Sequence, residues 1–491
     1  MGYLIGVDVG SQSVKAVLCS PDGGTVATSS FPCSMKHPSS GWSEQDPTEW
    51  QRGVAATVRA VLSSSTISPG EVSHLGLACQ VDGVVAVDRR LRPLRNAIIW
   101  LDRRATAQAS SLVDRLGTET IFGISGLNPD ASHIGPKMMW LREQEPAIFH
   151  AAHLLPPVAG YLLGWLTGVT VQDHANASST LLYDVGARDW SQTLLEAADI
   201  DPRLLAPIVA AHSPVGHLTA ETADELGLTT GCVAVAGTGD DHAAALGAGV
   251  VGPGVIADVT GTAEPVAAAT TKAVFDDQHL LETHAHAVDG VLLVENPGFV
   301  SGGSTMWLAG VLNTSQQDVF DWAALAPAGS DGVTFLPALS GATAPRWNDR
   351  MRGAFHGLSM NHDHAHMSRA VLEGCVYALR DITDRLFQMQ LGGREIRVIG
   401  GGTRSALWLQ IKADVTGLPV RPVLDAEPTA LGAAMLAGVG AGSFADAGEA
   451  AARMTRLAEH CYEPNPANAG LYDDGYQNYR RLFDALEELT R

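Results

Sequence analysis

Long hydrophobic runs are absent from this sequence: no stretch reaches the roughly 18 consecutive apolar residues that a membrane-spanning helix needs. Positive charge is scarce. Lys and Arg number 32 against 53 Asp and Glu, a formal net charge of −21 with a pI near 5.1. Long-range attraction to nucleic acid or an anionic membrane is therefore disfavoured, and any phosphate must be met by a local site. Cysteine is sparse and unpatterned. Cys19, Cys33, Cys79, Cys232, Cys375 and Cys461 show no C-x-x-C spacing, which argues against a disulfide frame or cysteine zinc site and for a reducing, cytoplasmic setting. The N-terminus has no basic segment and its apolar start is broken by Asp8, so it does not read as a signal peptide. Hydrophobic residues at 46% and charged residues at 17% leave no long disordered composition.

What is present is length. At 491 residues the chain exceeds the roughly 250–300 residues of a single core, so two domains meeting near residue 245 are expected. Strand patterns over Leu4–Val9 and Val14–Cys19 predict a β-hairpin. Its loop, Asp8-Val9-Gly10-Ser11-Gln12-Ser13-Val14-Lys15, gathers a carboxylate, a glycine, hydroxyls and a lysine. Such a turn can cradle an anion on backbone N–H groups while Asp8 holds hydrated Mg²⁺ through water, or it is simply a polar hairpin turn. The pattern returns at Val255–Val266, where Gly261 and Thr262 form the turn, and two such hairpins imply related domains facing one cleft.

Between them, the apolar run Val233–Ala236 leads into Gly237-Thr238-Gly239-Asp240-Asp241 and then an Ala-rich helix. Asp240 stands at the helix entrance, as an N-cap or as a carboxylate projecting into a cleft. Earlier, Asp46, Pro47 and Glu49 signal a helix start followed by Val54, Val58 and Val61; Trp42 just before it lines a site or anchors a core. The strand Leu75–Cys79 ends in Gln80-Val81-Asp82, and a strand over Ala97–Trp100 ends in Leu101-Asp102-Arg103-Arg104. Polar groups at neighbouring strand ends converge, so Gln80, Asp82, Trp100, Asp102 and Arg103 could read hydroxyl groups; surface salt bridging is the alternative.

The region from Ala105 to about Leu166 reads as helical, with Lys137–Leu141 a core stripe, and Asp173–Thr180 as a loop. His284 with His286, and His362, His364 and His366, alternate at spacings that could ligate metal, but no carboxylate or cysteine set completes either group. Met367 to about Met389 predicts a long helix with Val371, Gly374, Cys375 and Ala378 inward. Val398-Ile399-Gly400-Gly401-Gly402-Thr403 is a strand emptying into a glycine loop, after which Ser405 caps a helix; the dipole there suits an anion. Lacking G-x-G-x-x-G, this is not a Rossmann dinucleotide site. A further helix opens at Glu427, and the tail beyond Gly442 reads as a helical cover.

The order and spacing of Gly6-Val7-Asp8-Val9-Gly10-Ser11, Gly41–Asp46, Trp100–Arg103, Gly237–Asp240, Gly261-Thr262, Phe335–Pro337, Arg369–Gly374, Gly400–Gly402 and Leu431–Ala434 resemble the FGGY family of carbohydrate kinases, most nearly the xylulokinases. The likeness runs from about residue 3 to about residue 440. It implies an α/β chain of two actin-like, ribonuclease-H-like domains flanking a deep catalytic cleft. Residues 1–245 would form the sugar side and 246–491 the ATP side with a C-terminal cover. By the same resemblance Asp240 is the general base, Asp8 serves Mg²⁺, and the turns at Gly10-Ser11-Gln12 with Lys15 and at Gly261-Thr262 hold phosphates. Gly400, Gly401, Gly402 and Ser405 line the adenosine side, and Gln80, Val81, Asp82, Trp100, Asp102 and Asp241 line the sugar.

Paired phosphate turns, one cation site and one base suffice for phosphoryl transfer, which needs positioning and charge neutralisation more than covalent chemistry. ATP, Mg²⁺ and a small ketose such as D-xylulose are the implied ligands, with a homodimer as the base-rate assembly. Val81-Asp82 stand where familiar xylulokinases carry Met-His, and Ala342 where a glutamate often follows Ser-Gly, so another pentulose, erythritol or glycerol stays open. A non-catalytic nucleotide-dependent switch on the same frame is the rival from another class, opposed by the polyol-type cluster. A DNA-binding regulator is opposed by the acidic charge.

Overall fold

The computed structural model describes residues 2–489. The first sheet is built from β1 (Tyr3–Val9), β2 (Ser13–Cys19), β3 (Thr25–Pro32), β4 (Val72–Cys79) and β5 (Val233–Val235), in the order β3-β2-β1-β4-β5 with Pro214–His217 added beside β5. Strands β1, β2 and β3 run antiparallel in turn, whereas β4 lies parallel to β1 and β5 parallel to β4. The second sheet uses β6 (Val255–Thr260), β7 (Ala263–Thr270), β8 (Leu292–Val300), β9 (Glu395–Gly400) and β10 (Val420–Pro422) in the order β8-β7-β6-β9-β10, with Glu282–Ala285 beside β8. Its pairings repeat those of the first sheet. Two copies of one strand order are the two actin-like domains, and the hairpins expected at both places are present.

Alternation along each strand decides what covers each face. Ile5, Val7 and Val9 point one way and pack with Trp50, Val54, Val58 and Val61 of α1 (Pro47–Ser63). Asp46 caps α1 by accepting from the Thr48 N–H at 2.9 Å, as its sequence predicts. Glu49 does not reach back to the cap; it accepts instead from the Ser34 N–H at 3.1 Å. Residues 105–205 add a helical layer with its own core, including Met138, Met139, Trp140 and Leu141 of α2 (Ile134–Gln144). The expected loop at 173–180 is a short helix, His174–Ser178, because Asp173 accepts from the N–H groups of Ala175 and Asn176.

The opposite face of the first sheet carries Leu4, Gly6 and Asp8. Helix α3 (Asp240–Gly247) follows β5, and along it Ala244 and Ala245 pack with Ala257, Ala267 and Ile399 of the second sheet. That sheet's other face is covered by α4 (His364–Gln388) and α5 (Ala406–Thr416), with Val371, Gly374, Cys375 and Ala378 of α4 buried as expected. Helix α6 (Pro428–Gly440) follows β10 in the chain yet packs on the first sheet, through Leu431, Ala434 and Met435 against Leu4 and Val17. A Cβ on Gly6 would lie 1.9 Å from the Ala430 carbonyl, and one on Gly76 2.1 Å from that of Ala433. Small residues at both places let helix and sheet backbones touch. Helix α7 (Ala469–Leu489) covers α4 with Tyr472, Tyr476, Tyr479 and Phe483.

Candidate active site

Parallel strands deliver their C-terminal ends to one edge of a sheet, where open α/β sheets bind ligands. In the first sheet that edge carries Asp8 from β1, Gln80 and Asp82 just past β4, and Asp240. The last is brought there by the two-residue strand Thr238–Gly239, which pairs with β4 at Ala78 and Cys79. Gly239, not Asp240, occupies the N-cap position of α3, and no side chain caps this helix. Asp240 sits in the first turn, and Oδ1 accepts only from the N–H of Asp241 at 3.2 Å. Of the two roles open to Asp240, capping is therefore not its task, because the turn places the residue one position further along.

Asp8, Asp240 and Asp241 are each partly buried. Burial lifts the Asp240 carboxyl well above the usual carboxylate range, and the charges of Asp241 and Asp8 lift it further. Burial and the Asp82 charge raise Asp241. Asp8 is pushed up to about 7 by burial, against the lowering effect of Lys15. These groups form a patch of negative charge without enough compensating cations, which favours a bound cation. Among the described residues no three His, Cys, Asp or Glu side chains converge to ligate a metal directly, so a cation here would be held through water.

Two glutamines connect the hairpin turn to the end of β4. Gln45 Nε2 donates to Ser11 O at 2.8 Å, and its Oε1 accepts from Gln80 Nε2 at 2.7 Å. Gln80 Oε1 is buried and has no partner, which leaves an acceptor for a bound hydroxyl. Val81 lies against the backbone of the central motif, 2.5 Å from where a Gly239 Cβ would be. Asp82 is buried in a left-handed conformation with φ 59°. Its carboxylate faces His133 Nδ1 at 3.2 Å, and its carbonyl accepts from Lys137 Nζ at 2.6 Å. No signal in the sequence marks Gln45, His133 and Lys137 as site residues, since tertiary packing of a short strand and of α2, not sequence spacing, brings them near Gln80 and Asp82.

Trp100 and Asp102 are placed differently. Trp100 is 39% exposed, in a turn beyond the strand, which ends at Ile98. Asp102 is fully buried, with Oδ1 accepting from Arg104 Nε at 2.9 Å and Oδ2 from Arg104 Nη2 at 2.7 Å. The Ser43 N–H also donates to Asp102, at 2.5 Å. Its carboxylate is taken up by Arg104 and the Ser43 backbone, and the Arg104 guanidinium lies 3.8 Å from the Trp42 ring centre. Arg103 pairs with Asp130.

On the second sheet, Thr260 of β6 is registered with Gly400 of β9, so the two expected nucleotide-side turns touch. Gly400 has φ 87°, and a Cβ on Gly402 would meet Thr260 at 2.7 Å. The exposed Gly261 and Thr262 receive N–H donors from Gly302 and Gly303, each at 3.0 Å. Ser405 caps α5 by accepting from the Trp408 N–H at 3.2 Å. Beneath these turns Lys412, wholly buried, donates to Thr260 Oγ1 and Glu264 Oε1 at 2.8 Å each and pairs with Asp258. Those carboxylates outweigh burial and hold the Lys412 ammonium above its usual range. Lys15, expected at the phosphates, pairs with Glu427 at 2.7 Å, just ahead of α6.

Two family models match the chain: the N-terminal domain of the FGGY family of carbohydrate kinases over residues 3–247 and its C-terminal domain over 232–441. The chain belongs to the FGGY family of carbohydrate kinases. A xylulose kinase of Staphylococcus epidermidis is 29% identical, covering 99% of this chain and 97% of the relative. A glycerol kinase of Thermococcus gammatolerans is 30% identical over 89% of each. The crystal structure of xylulose kinase from Rhodospirillum rubrum superimposes with a TM-score of 0.91 at 28% identity, covering 99% of both chains. As an FGGY kinase this chain uses ATP, and among the described residues no helix is long and apolar enough to cross a membrane.

Proposed function

We propose that this FGGY kinase transfers the γ-phosphate of ATP to a hydroxyl of D-xylulose, giving xylulose 5-phosphate. The observation that carries the reading is Asp240, an uncapped carboxylate at the shared edge of β1 and β4, beside Asp8 and the unpartnered Gln80 acceptor. Asp240 takes the proton of the attacking hydroxyl as that oxygen bonds to the γ-phosphorus and the bond to the ADP oxygen breaks. Mg²⁺, held through water at Asp8, would neutralise phosphate oxygens and favour the ionised form of Asp240. Gly10 and Gly261 close the two turns, their N–H groups donating to Ser13 O and Ala263 O, so that Ser11 and Thr262 offer donors to phosphates, while Gly400, Gly401, Gly402 and Ser405 bed the adenosine. Closure of the two domains over Asp240 and Asp241 would exclude water. The remaining parts of the proposal are a division near residue 245, a cytoplasmic setting and a homodimer.

A polyol such as erythritol or glycerol is the second reading. It is favoured by Asp82, whose carboxylate can accept from two hydroxyl groups, and by the similarity to a glycerol kinase. An ADP-release assay over D-xylulose, L-xylulose, D- and L-ribulose, glycerol and erythritol tests both. Highest kcat/KM on D-xylulose is the expected result; a clear preference for a three- or four-carbon polyol selects the second reading. ATP binding without phosphorylation of any of these compounds would overturn both.

A further inference from the structure

The sugar-side residue Asp82 is held by two buried cations from the 128–137 segment, and the geometry fixes the charge state of one of them. Around His133, Nδ1 faces Ser179 O at 2.9 Å as well as the Asp82 carboxylate, and Nε2 faces Asn128 O at 3.2 Å. Backbone carbonyls only accept, so a ring nitrogen bonded to one must carry hydrogen. Both nitrogens meet such acceptors, which makes the ring an imidazolium with Asp82 as its counterion. Lys137, fully buried, donates to Asp82 O and to Ser132 O. The left-handed backbone of Asp82 is disfavoured for a non-glycine residue and persists only where its surroundings hold it. The ammonium on its carbonyl and the imidazolium on its carboxylate do so.

We propose that His133 is a positioning residue for substrate choice: as an imidazolium it holds the Asp82 carboxylate in place and aims it at neighbouring hydroxyl groups of a neutral sugar or polyol. The proposal rests on the kinase reading above and deepens it. The groups facing His133 are Asp82 after β4, Asp130 in its own loop, Lys137 on α2, and Glu282 and His284 on the edge strand of the second sheet. Burial opposes the charge, but Asp82, Glu282 and Asp130 outweigh it and bring the ring up to about 9. Below that pH, the imidazolium holds the Asp82 oxygens in place beside the hydroxyl site. Above it, the counterion is lost and the carboxylate is left buried and unpaired.

Two readouts test this. In His133→Gln, which keeps a donor but removes the charge, KM for D-xylulose should rise about tenfold while kcat and KM for ATP change little. Lys137, brought down to about 8 by burial, acts in both proteins, so it is the further rise in wild-type KM above about pH 9 that should be missing from the variant. Independently of any sugar, the imidazole NMR shifts of ¹⁵N-labelled full-length protein should show His133 doubly protonated at pH 7 to 8. Asp82→Asn should lower its titration midpoint by about one pH unit or more. A neutral His133 ring at pH 7 would overturn the proposal whatever the enzyme phosphorylates. So would an unchanged KM in His133→Gln, or equal losses in both substrates' KM. If wild type phosphorylates none of the assay compounds, the kinase reading fails and the NMR result still decides this one.

Discussion

Replacing Asp240 by Asn should move activity and stability in opposite directions. The substitution keeps the size of the side chain and deletes the proton acceptor, so turnover should fall by roughly 10²- to 10⁴-fold, the range for a lost general base. ATP affinity should hold, since the second-sheet turns proposed to meet the nucleotide do not involve this side chain. Stability should rise. The folded chain lifts the Asp240 carboxyl far above its unfolded value through burial and through the charges of Asp241 and Asp8. A carboxyl raised on folding lends stability that is full below its unfolded pKa and lost as pH rises through the folded one.

Asp8 supplies a yardstick for the size of that effect. Its rise from 3.8 to about 7 corresponds to about 4 kcal/mol at roughly 1.4 kcal/mol per pH unit, and partial exposure to solvent cuts this to about 1–2 kcal/mol. For a domain of some 250 residues, that is a gain of about 2–8 °C in melting temperature at pH 8. Differential scanning fluorimetry alongside the ADP-release assay reads both effects. Near-normal turnover would remove Asp240 from the chemistry, and an inactive variant that also melts lower would make it a structural residue.

Three further perturbations follow from the packing and charge. Gly6→Ala forces a Cβ onto the Ala430 carbonyl, where both partners are backbone, and should cost about 3 kcal/mol or more; urea unfolding at wild-type stability would mean that α6 can back away freely. Lys412→Met leaves Asp258 and Glu264 buried without their cation and should cost about 3–5 kcal/mol. Adding Asp258→Asn and Glu264→Gln should recover much of the loss, and a triple variant no more stable than the single one would refute the charge account. Asp8→Asn should raise the Mg²⁺ concentration needed for half-maximal rate about tenfold or more. It should also flatten the decline in wild-type stability as pH rises from about 4 through about 7; chemical denaturation at several pH values shows whether that decline persists.

Local chemistry made much of this fold legible. Both hairpins, the caps at Asp46 and Ser405 and the buried face of α4 follow from spacing of two to four residues, which a sequence displays directly. The errors arose where a neighbour in sequence was not a neighbour in space, or where one position decided a cap. Asp240 reads equally as an N-cap or a cleft carboxylate because helix patterns begin near it; the structure starts the helix one residue earlier and so drops the cap. The stretch 173–180 looked like a loop because it is short and polar, but Asp173 supplies the acceptors for a single helical turn and also accepts from Thr238 Oγ1 at 2.7 Å. The pairs His133 with Asp82, Gln45 with Gln80 and Lys412 with Asp258 could not be read in advance. Each joins elements far apart in the sequence that only tertiary packing brings together, and a lone His, Gln or Lys on an apolar background carries no mark of its partner.

The placement of α6 has a consequence for how the protein is made. The first sheet is complete in the growing chain once β5 has emerged, but the helix that covers the Leu4, Gly6 and Gly76 face is encoded after β10. At roughly 5–20 residues per second, the ribosome delivers α6 about 10–40 s later. During that interval the nascent chain shows water a flat, glycine-smoothed apolar surface that nothing upstream can cover. A premature stop before α6 would therefore release a half-sheathed sheet prone to aggregate, not a working half-enzyme, and burdens on chaperones should concentrate in this window of synthesis.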